Sequence, residues 1–333
     1  MSTPTPKTTR WRIITASEKG PSHQRDGRPN QDSIAYHLSS HGESPVILAV
    51  SDGHGSEKCF RSQFGSRIAA DTCVDICREF VEGMANETPT SIKRSFEKNL
   101  ASRIIAEWRK RVMSHLAQNP FTEVELEFCC ATKTTDLTDH SFNLLPYGAT
   151  LIGLVLTDSY MISFQLGDGD AIEVSESTTE PELLIPKDES NIANDTNSLC
   201  QEKACSFFRS KFHLLQEKPP AFVMLSTDGY SNSFSTYDGY LQAGKDLFQF
   251  LTDYGYQYVE RSIHEWIADA SSNGSGDDTT IGLLIRDDLL PESEQLSTQD
   301  FEVKQVTPAS ITKTPKMPIL CCICGFLFRC HKA

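Results

Sequence analysis

The sequence predicts an α+β fold built on antiparallel β-sheets. Two short apolar runs, at 150–156 and 160–166, are separated by three turn residues and are typical of a β-hairpin. Two long stretches, at 57–82 and 91–118, instead carry apolar residues at helical spacing. Because strands come in groups before and after this pair of helices, the order does not fit an alternating βαβ chain.

The other elements follow from apolar runs bounded by turn residues. Strands are predicted at 11–17, 33–38, 45–50, 171–174, 205–215, 221–227 and 280–285, and helices at 240–253 and 256–271. The run at 45–50 is too apolar to face water on either side, so this strand should be buried. We expect a folded domain over 10–287, between a flexible lead-in of residues 1–9 and a polar tail, 288–333, with a Cys-rich apolar end.

Composition narrows the functional classes. The 333 residues include 31 Lys and Arg but 45 Asp and Glu, a net charge of −14 that argues against binding nucleic acid. No apolar window approaches the roughly 18 residues of a transmembrane segment, and the N-terminus lacks a signal-peptide stretch. The 11 cysteines are odd in number and scattered, unlike a disulfide framework. A cytoplasmic location is the simplest expectation.

Five aspartates occupy strand ends. Asp52, Asp168 and Asp228 each end an apolar run and precede glycine, Asp277 precedes the last strand, and Asp32 begins the second strand. Any one of them could be a simple turn residue. Several converging carboxylates would repel one another, however, and would need protons or a cation. Carboxylate oxygens favour Mg²⁺, Mn²⁺ or Ca²⁺ over Zn²⁺.

Short motifs accompany these aspartates. In chain order they are Gln31-Asp32, Asp52-Gly53-His54-Gly55, Gly148-Ala149-Thr150, Gly167-Asp168, Ser226-Thr227-Asp228-Gly229 and Asp277-Asp278-Thr279-Thr280. This order resembles the metal-dependent type 2C serine/threonine protein phosphatases over about 10–287, and the opening 17–32 resembles their bacterial-type branch. The resemblance implies an α-β-β-α sandwich, with two antiparallel sheets flanked by helical pairs.

The resemblance also implies a metal centre. Asp52 would bridge two Mn²⁺ or Mg²⁺ ions, the carbonyl of Gly53 would bind one of them, and Asp228 with Asp277 would bind the other. Asp32 matches the N-terminal acidic position, which holds a metal directly or through water. The implied cofactors are therefore two divalent ions in each active site.

Further roles follow from the same resemblance. Asp168, with Asp228, matches the carboxylates that hold a weaker third metal in bacterial members. His54 matches the proposed general acid and is counted with Asp52 as catalytic. Arg28 is favoured over Arg25 as the arginine that binds the substrate phosphate, although its spacing is offset by one residue. Each of these could instead be an ordinary loop residue.

Two motifs depart from the family pattern. The usual Ser-Arg after the fourth motif is Gly169-Asp170 here, which bears on the third-metal region. The usual Asp-Asn of the last motif is Asp277-Asp278, which keeps the ligand position itself. Since none of the principal metal carboxylates is missing, the sequence argues against an inactive relative.

The implied reaction is hydrolysis of phosphoserine and phosphothreonine in proteins. A water bridged by two divalent ions would attack phosphorus in line, without a phosphoenzyme. No Cys-x5-Arg loop of a cysteine-based phosphatase is present. The expected partners are a phosphoprotein substrate and a cognate kinase or its target. Alternatives are a non-catalytic phosphoprotein-binding regulatory module on the same fold, and a Ca²⁺-binding structural protein, which lacks EF-hand spacing.

The Cys-rich end has no assigned role. Cys321, Cys322, Cys324, Cys330 and His331 could bind Zn²⁺, but their spacing is not that of two Cys-x2-Cys pairs. The apolar residues around them could instead be structural, dock on the domain or a partner, or touch a membrane, although they are too few to span one.

Overall fold

The protein is described here from a computed structural model. It covers residues 9–130, 144–186, 196–215 and 219–295, with the backbone alone at 128–130. The expectations for the N-terminal lead-in up to residue 8 and for the Cys-rich end lie outside the described residues. Among the residues described, the cysteines at 59, 73, 77, 200 and 205 are free thiols. No helix in this part of the chain has the length and apolar character needed to cross a membrane.

In the described part of the chain, ten strands form two five-stranded sheets, and every strand pair there is antiparallel. The first sheet has the order β1 (Trp11–Glu18), β10 (Thr279–Arg286), β9 (Phe222–Ser226), β6 (Asp170–Val174) and β7 (Pro181–Leu183). The second has the order β2 (Ser33–His37), β3 (Val46–Ser51), β4 (Leu151–Leu156), β5 (Tyr160–Leu166) and β8 (Arg209–Leu214). The predicted antiparallel sheets are confirmed.

The longer helices form two groups, and shorter helices and single turns lie between the other elements. They are α1 (Pro21–Arg25), α2 (Ser62–Gly83), α3 (Pro89–Ser95), α4 (Ala101–Gln118), α5 (Glu123–Cys130), α6 (Asp228–Ser231), α7 (Tyr237–Tyr254) and α8 (Tyr256–Asn273). A π-helical turn, Phe96–Leu100, joins α3 to α4. Single 3₁₀ turns lie at Glu57–Cys59, Leu145–Tyr147, Ala204–Phe207 and Asp287–Leu289.

Three apolar cores separate four layers. Helices α2 and α4 pack on the second sheet around Trp108 and Ile104, while α7 and α8 pack on the first sheet around Phe222. A third core, which includes Trp11 and Leu154, lies between the two sheets. Each central strand therefore buries both of its faces, which explains the uninterrupted apolar runs in the sequence. The predicted α-β-β-α sandwich is confirmed.

Some predicted boundaries are wrong. The run at 205–215 divides into a 3₁₀ turn and β8, and the helix predicted at 91–118 divides into α3, the π-helical turn and α4. The short elements α1, β7 and α6 are absent from the sequence-based prediction. Each has three to five residues, which is too few to show a period in the sequence.

Strand pairing brings the five predicted aspartates to one edge of the sandwich. In the second sheet, the start of β2 lies opposite the end of β3, and the start of β4 lies opposite the end of β5. In the first sheet, the end of β9 lies beside the starts of β10 and β6. Every predicted aspartate is within three residues of one of these strand ends.

Candidate active site

Asp52 leaves the end of β3 in a loop fixed by its neighbour in the fold. Its amide N–H donates to the Thr150 hydroxyl at 3.0 Å, and the amide of Thr150 donates back to the Asp52 carbonyl at 2.8 Å. Both backbone groups of Asp52 are thereby occupied.

Gly53 and His54 continue this loop under tight steric limits. The amide of Gly53 donates to the Gln31 carbonyl at 3.0 Å, and a Cβ at this position would lie 2.6 Å from the same oxygen. The amide of His54 donates to the Gly148 carbonyl at 3.1 Å. Glycine is therefore required at position 53 by the close approach of the Gln31 backbone.

Asp32 and Asp228 are brought together by Thr227 at the end of β9. The Thr227 hydroxyl donates to the Asp32 carboxylate at 2.7 Å and accepts the amide of Thr280 at 3.0 Å. Asp32 is buried, and Asp228 follows directly as the first residue of α6. The side-chain amide of Asn232, one turn later, donates to Asp228 at 3.0 Å.

The carboxyl groups of Asp32, Asp52 and Asp228 affect one another's pKa values. Burial, followed by the charges of Asp32 and Asp228, raises the pKa of Asp52 well above its usual range, and Asp52 and Asp228 affect each other's pKa directly. Burial raises the pKa of Asp32 to about 8, against the hydrogen bond from Thr227. Burial and the charge of Asp168 raise the pKa of Asp228 to about 6. A group of neighbouring carboxyls whose pKa values are raised in this way fits a hard divalent cation, which would stabilise their charged forms.

Asp168 and Asp277 lie at the exposed rim of this cluster. Asp168 accepts a hydrogen bond from the Thr196 hydroxyl at 2.6 Å, and both Asp168 and Asp277 act electrostatically on Asp228. The structure therefore brings all five predicted carboxylates into one region. Asp170, at the departure from the usual motif, is buried instead and accepts a hydrogen bond from the Tyr237 hydroxyl at 2.9 Å.

A tighter group was missed by the sequence reasoning. His23, Asp277 and Asp278 have potential ligand atoms that all lie within 4.8 Å of one another. Asp278 is only 3% exposed, and its carboxylate accepts the Gly20 amide at 2.8 Å, the Gln31 amide at 2.7 Å and His23 Nδ1 at 2.6 Å. His23 Nε2 lies 3.5 Å from the Asp277 carboxylate. Of the five predicted carboxylate ligands, only Asp277 belongs to this trio.

Arg28 contacts the loop Asp52–Gly55, whereas Arg25 makes no described contact with that loop. The Arg28 guanidinium donates to the Gly55 carbonyl at 3.1 Å and to the Asp26 carboxylate at 2.9 Å. Arg25 is exposed in the last turn of α1. The preference for Arg28 as the phosphate-binding arginine stays a prediction, supported by its position next to Gly55.

His54 lies in an environment that favours its neutral form. Burial lowers the pKa of the imidazole, and the carboxylate of Asp168 opposes this effect. A general acid must carry a proton before it can donate one. An acid role for His54 therefore depends on the negative charge of Asp168, which favours the protonated ring.

Comparison with known protein families assigns the chain to one of them. The sequence profile described as Protein phosphatase 2C matches residues 19–268, about three quarters of the chain. The chain belongs to the protein phosphatase 2C family. As a member of this family it is a serine/threonine protein phosphatase. Among curated protein sequences, none matches it.

Solved structures share the fold of this protein phosphatase 2C member at low identity. One is the catalytic domain of the serine/threonine protein phosphatase PstP with two manganese ions: 13% identity, TM-score 0.50, covering 84% of this chain and 99% of that one. Another is PstP/Ppp from Mycobacterium tuberculosis: 14% identity, TM-score 0.50, covering 83% and 98%. At such identity the likeness concerns the fold.

Proposed function

We propose that this protein phosphatase 2C member hydrolyses phosphoserine and phosphothreonine in proteins with two divalent cations, Mn²⁺ or Mg²⁺, and without a phosphoenzyme. The residues proposed to hold cations are Asp32, Asp52, Gly53, Asp228 and Asp277, with Asp168 and Asp228 holding a weaker third. His54 is the proposed general acid, and Arg28 the proposed phosphate-binding residue.

The convergence of Asp32, Asp52 and Asp228 at one edge of the sandwich carries this proposal. The charge of Asp228 raises the cost of ionising Asp52, so both can be charged together only if a cation compensates them. Asp32, itself buried, adds a third carboxyl whose pKa is raised. A manganese-bound structure of the same fold is consistent with a metal centre here.

Bound divalent cations would supply an activated water and would neutralise phosphoryl oxygens as charge develops on them. Arg28 and His54 would complement the cations by binding the phosphate and by donating a proton. Arg28, which is hydrogen-bonded to Gly55, would orient the phosphate beside the loop Asp52–Gly55. His54 would give a proton to the departing serine or threonine oxygen, with Asp168 favouring the protonated ring.

The biological setting is proposed on the same basis. A phosphoprotein is the substrate, and a kinase that phosphorylates it, or another target of that kinase, is the expected functional partner. We place the enzyme in cytoplasmic signalling, because its scattered cysteines suit a reducing compartment.

The test is phosphate release by the purified full chain from phosphoserine and phosphothreonine peptides, with Mn²⁺, with Mg²⁺ and with EDTA. We expect turnover with a divalent cation, none with EDTA, and a loss of at least about 100-fold in Asp52→Asn, in the range of a lost electrostatic group at an active site. Asp158→Asn, on the exposed hairpin turn, is the matched control and should keep wild-type activity.

Retained activity in Asp52→Asn would contradict the proposed metal centre. Phosphopeptide binding without phosphate release, under every cation tested, would instead favour the non-catalytic regulatory module. The two outcomes differ in turnover, so one set of assays separates them.

A further inference from the structure

We propose that His23 is a further ligand of the divalent cation that Asp277 would hold, and that it binds this cation through Nε2. The inference rests on the proposed function, because it concerns a cation of that same centre. His23 lies in α1, next to β10 in space but 254 residues before Asp277 in the sequence.

The hydrogen bonds of Asp278 set the tautomer of His23. Both oxygens of the buried carboxylate accept backbone amides, from Gly20 at 2.8 Å and from Gln31 at 2.7 Å. A carboxylate held by such donors stays an acceptor, so the imidazole nitrogen 2.6 Å away must carry a hydrogen. In the neutral ring this leaves the lone pair on Nε2. The same carboxylate–histidine pairing orients metal-bound histidines in many proteins.

Nε2 and the Asp277 carboxylate are spaced as two ligands of one ion. Their separation of 3.5 Å is too long for a good hydrogen bond between the two groups. Two ligand atoms each about 2.1 Å from a shared ion lie about 3.0–3.5 Å apart, for angles between octahedral and tetrahedral. The third member of the trio, Asp278, is occupied by its three donors and acts as the support for His23.

A second observation points into the same space. Gln31 is 5% exposed, and its side-chain oxygen has no hydrogen-bond partner among the described residues. A carbon added to Gly55 would lie 3.7 Å from this oxygen, 3.9 Å from His23 Nε2 and 3.4 Å from an Arg28 nitrogen. A hydrated cation would bring water that can donate to the Gln31 oxygen. The charge of Arg28 is balanced by Asp26 at 2.9 Å.

A nitrogen ligand changes which cation is preferred. Mg²⁺ binds oxygen ligands and keeps its waters, whereas Mn²⁺ binds more tightly than Mg²⁺ to sites that include imidazole. His23 should therefore favour Mn²⁺ over Mg²⁺ at the Asp277 position.

The test is pulsed electron paramagnetic resonance of Mn²⁺ bound to the full chain, which detects nitrogen nuclei of a coordinated imidazole. We expect a nitrogen signal in the wild type, and its loss in His23→Ala. His264→Ala is the matched control, because that histidine is exposed, pairs with Glu18 and lies outside the site. His54→Ala should keep the signal and excludes the other nearby imidazole as its source.

Calorimetric titration with each metal alone gives the second readout. We expect His23→Ala to lower Mn²⁺ affinity at least about tenfold, with less than a twofold change for Mg²⁺. An unchanged nitrogen signal in His23→Ala overturns the inference, and so does an equal loss of Mn²⁺ and Mg²⁺ affinity. If the alanine variant does not fold by circular dichroism, His23→Asn takes its place in both measurements.

These readouts do not depend on catalysis. Loss of the nitrogen signal in His23→Ala supports the inference even if no phosphopeptide is hydrolysed, in which case the proposed function alone has failed. Normal phosphatase activity of the wild type, together with an unchanged signal in His23→Ala, would overturn the role of His23 and leave the proposed function intact.

Discussion

The Thr227 hydroxyl donates a 2.7 Å hydrogen bond to the Asp32 carboxylate across 195 residues of sequence. The same hydroxyl accepts the amide of Thr280 at 3.0 Å. One oxygen atom thus links the end of β9 and the start of β10 in the first sheet to the start of β2 in the second. The edge of the sandwich that carries the aspartates is held together by this contact.

Thr227→Val should destabilise the protein while keeping the shape of the side chain. It removes one donor to the buried Asp32 carboxyl and the acceptor of the Thr280 amide, at a cost of about 1–3 kcal/mol. Thr227→Ser keeps the hydroxyl and is the control, with a smaller loss expected. Denaturant unfolding in EDTA measures both, and equal losses in the two variants would show that the methyl group, rather than the hydrogen bonds, matters.

Asp52→Asn should stabilise the metal-free protein although it removes activity. The pKa of Asp52 is raised by burial and by neighbouring carboxyls, so the folded state without a cation carries an unfavourable group there. Replacement by a neutral amide of similar size should raise the free energy of unfolding by about 0.5–2 kcal/mol in EDTA at pH 8. With saturating Mn²⁺ the order should reverse, because the variant loses a ligand.

The pH dependence of the metal-free protein follows from the same group of carboxyls. The pKa of Asp32 is about 8 in the folded state against an ordinary value of 3.8, so folding takes up a proton between these values. Stability in EDTA should therefore fall as the pH rises from about 4 to about 8. Asp32→Asn should flatten this slope in unfolding experiments, whereas the exposed control Asp158→Asn should leave it unchanged.

Arg61 should be more sensitive to a lysine replacement than a surface arginine. Its buried guanidinium makes two bonds to Glu125, at 2.7 and 2.8 Å, and also donates to the Tyr147 hydroxyl at 2.9 Å. A lysine cannot reproduce this planar arrangement, so Arg61→Lys should cost about 2–3 kcal/mol. Arg103→Lys, in an exposed pair with Glu79, should cost less than about 1 kcal/mol. Equal unfolding midpoints for the two variants would contradict this account.

The sequence allowed the sheets and the aspartate edge to be predicted because both depend on local signals. Apolar runs such as 45–50 stop abruptly at an aspartate and a glycine, so each run gives a strand and each stop gives a candidate ligand. Antiparallel pairing sets the end of β3 opposite the start of β2 in one sheet and the end of β9 beside the start of β10 in the other, and the packing of the two sheets places both at one edge of the sandwich.

The partnership of His23 with Asp278 could not be predicted in the same way. The two residues are 255 positions apart, and His23 lies in a Gly- and Pro-containing segment that is typical of a turn. The structure forms a five-residue helix there, begun by Pro21. The motif alone indicates that Asp278 is a conservative replacement for asparagine, whereas its buried carboxylate accepts hydrogen bonds from three donors.

Gly65→Ala should be among the most damaging substitutions outside the aspartate cluster. Helix α2 passes so close to the 3₁₀ turn before β4 that a Cβ on Gly65 would lie within van der Waals overlap of the Tyr147 backbone. The carbonyl of Gly65 also accepts the Trp108 indole at 3.0 Å, so α2 cannot shift without breaking a buried bond. We expect Gly65→Ala to lower the free energy of unfolding by more than about 3 kcal/mol.

Gly83→Ala, at the end of the same helix with open space around it, should instead gain up to about 1 kcal/mol from helix propensity. Thermal unfolding of the two variants separates steric overlap from propensity, and a similar loss in both would show that glycine is required in α2 for another reason.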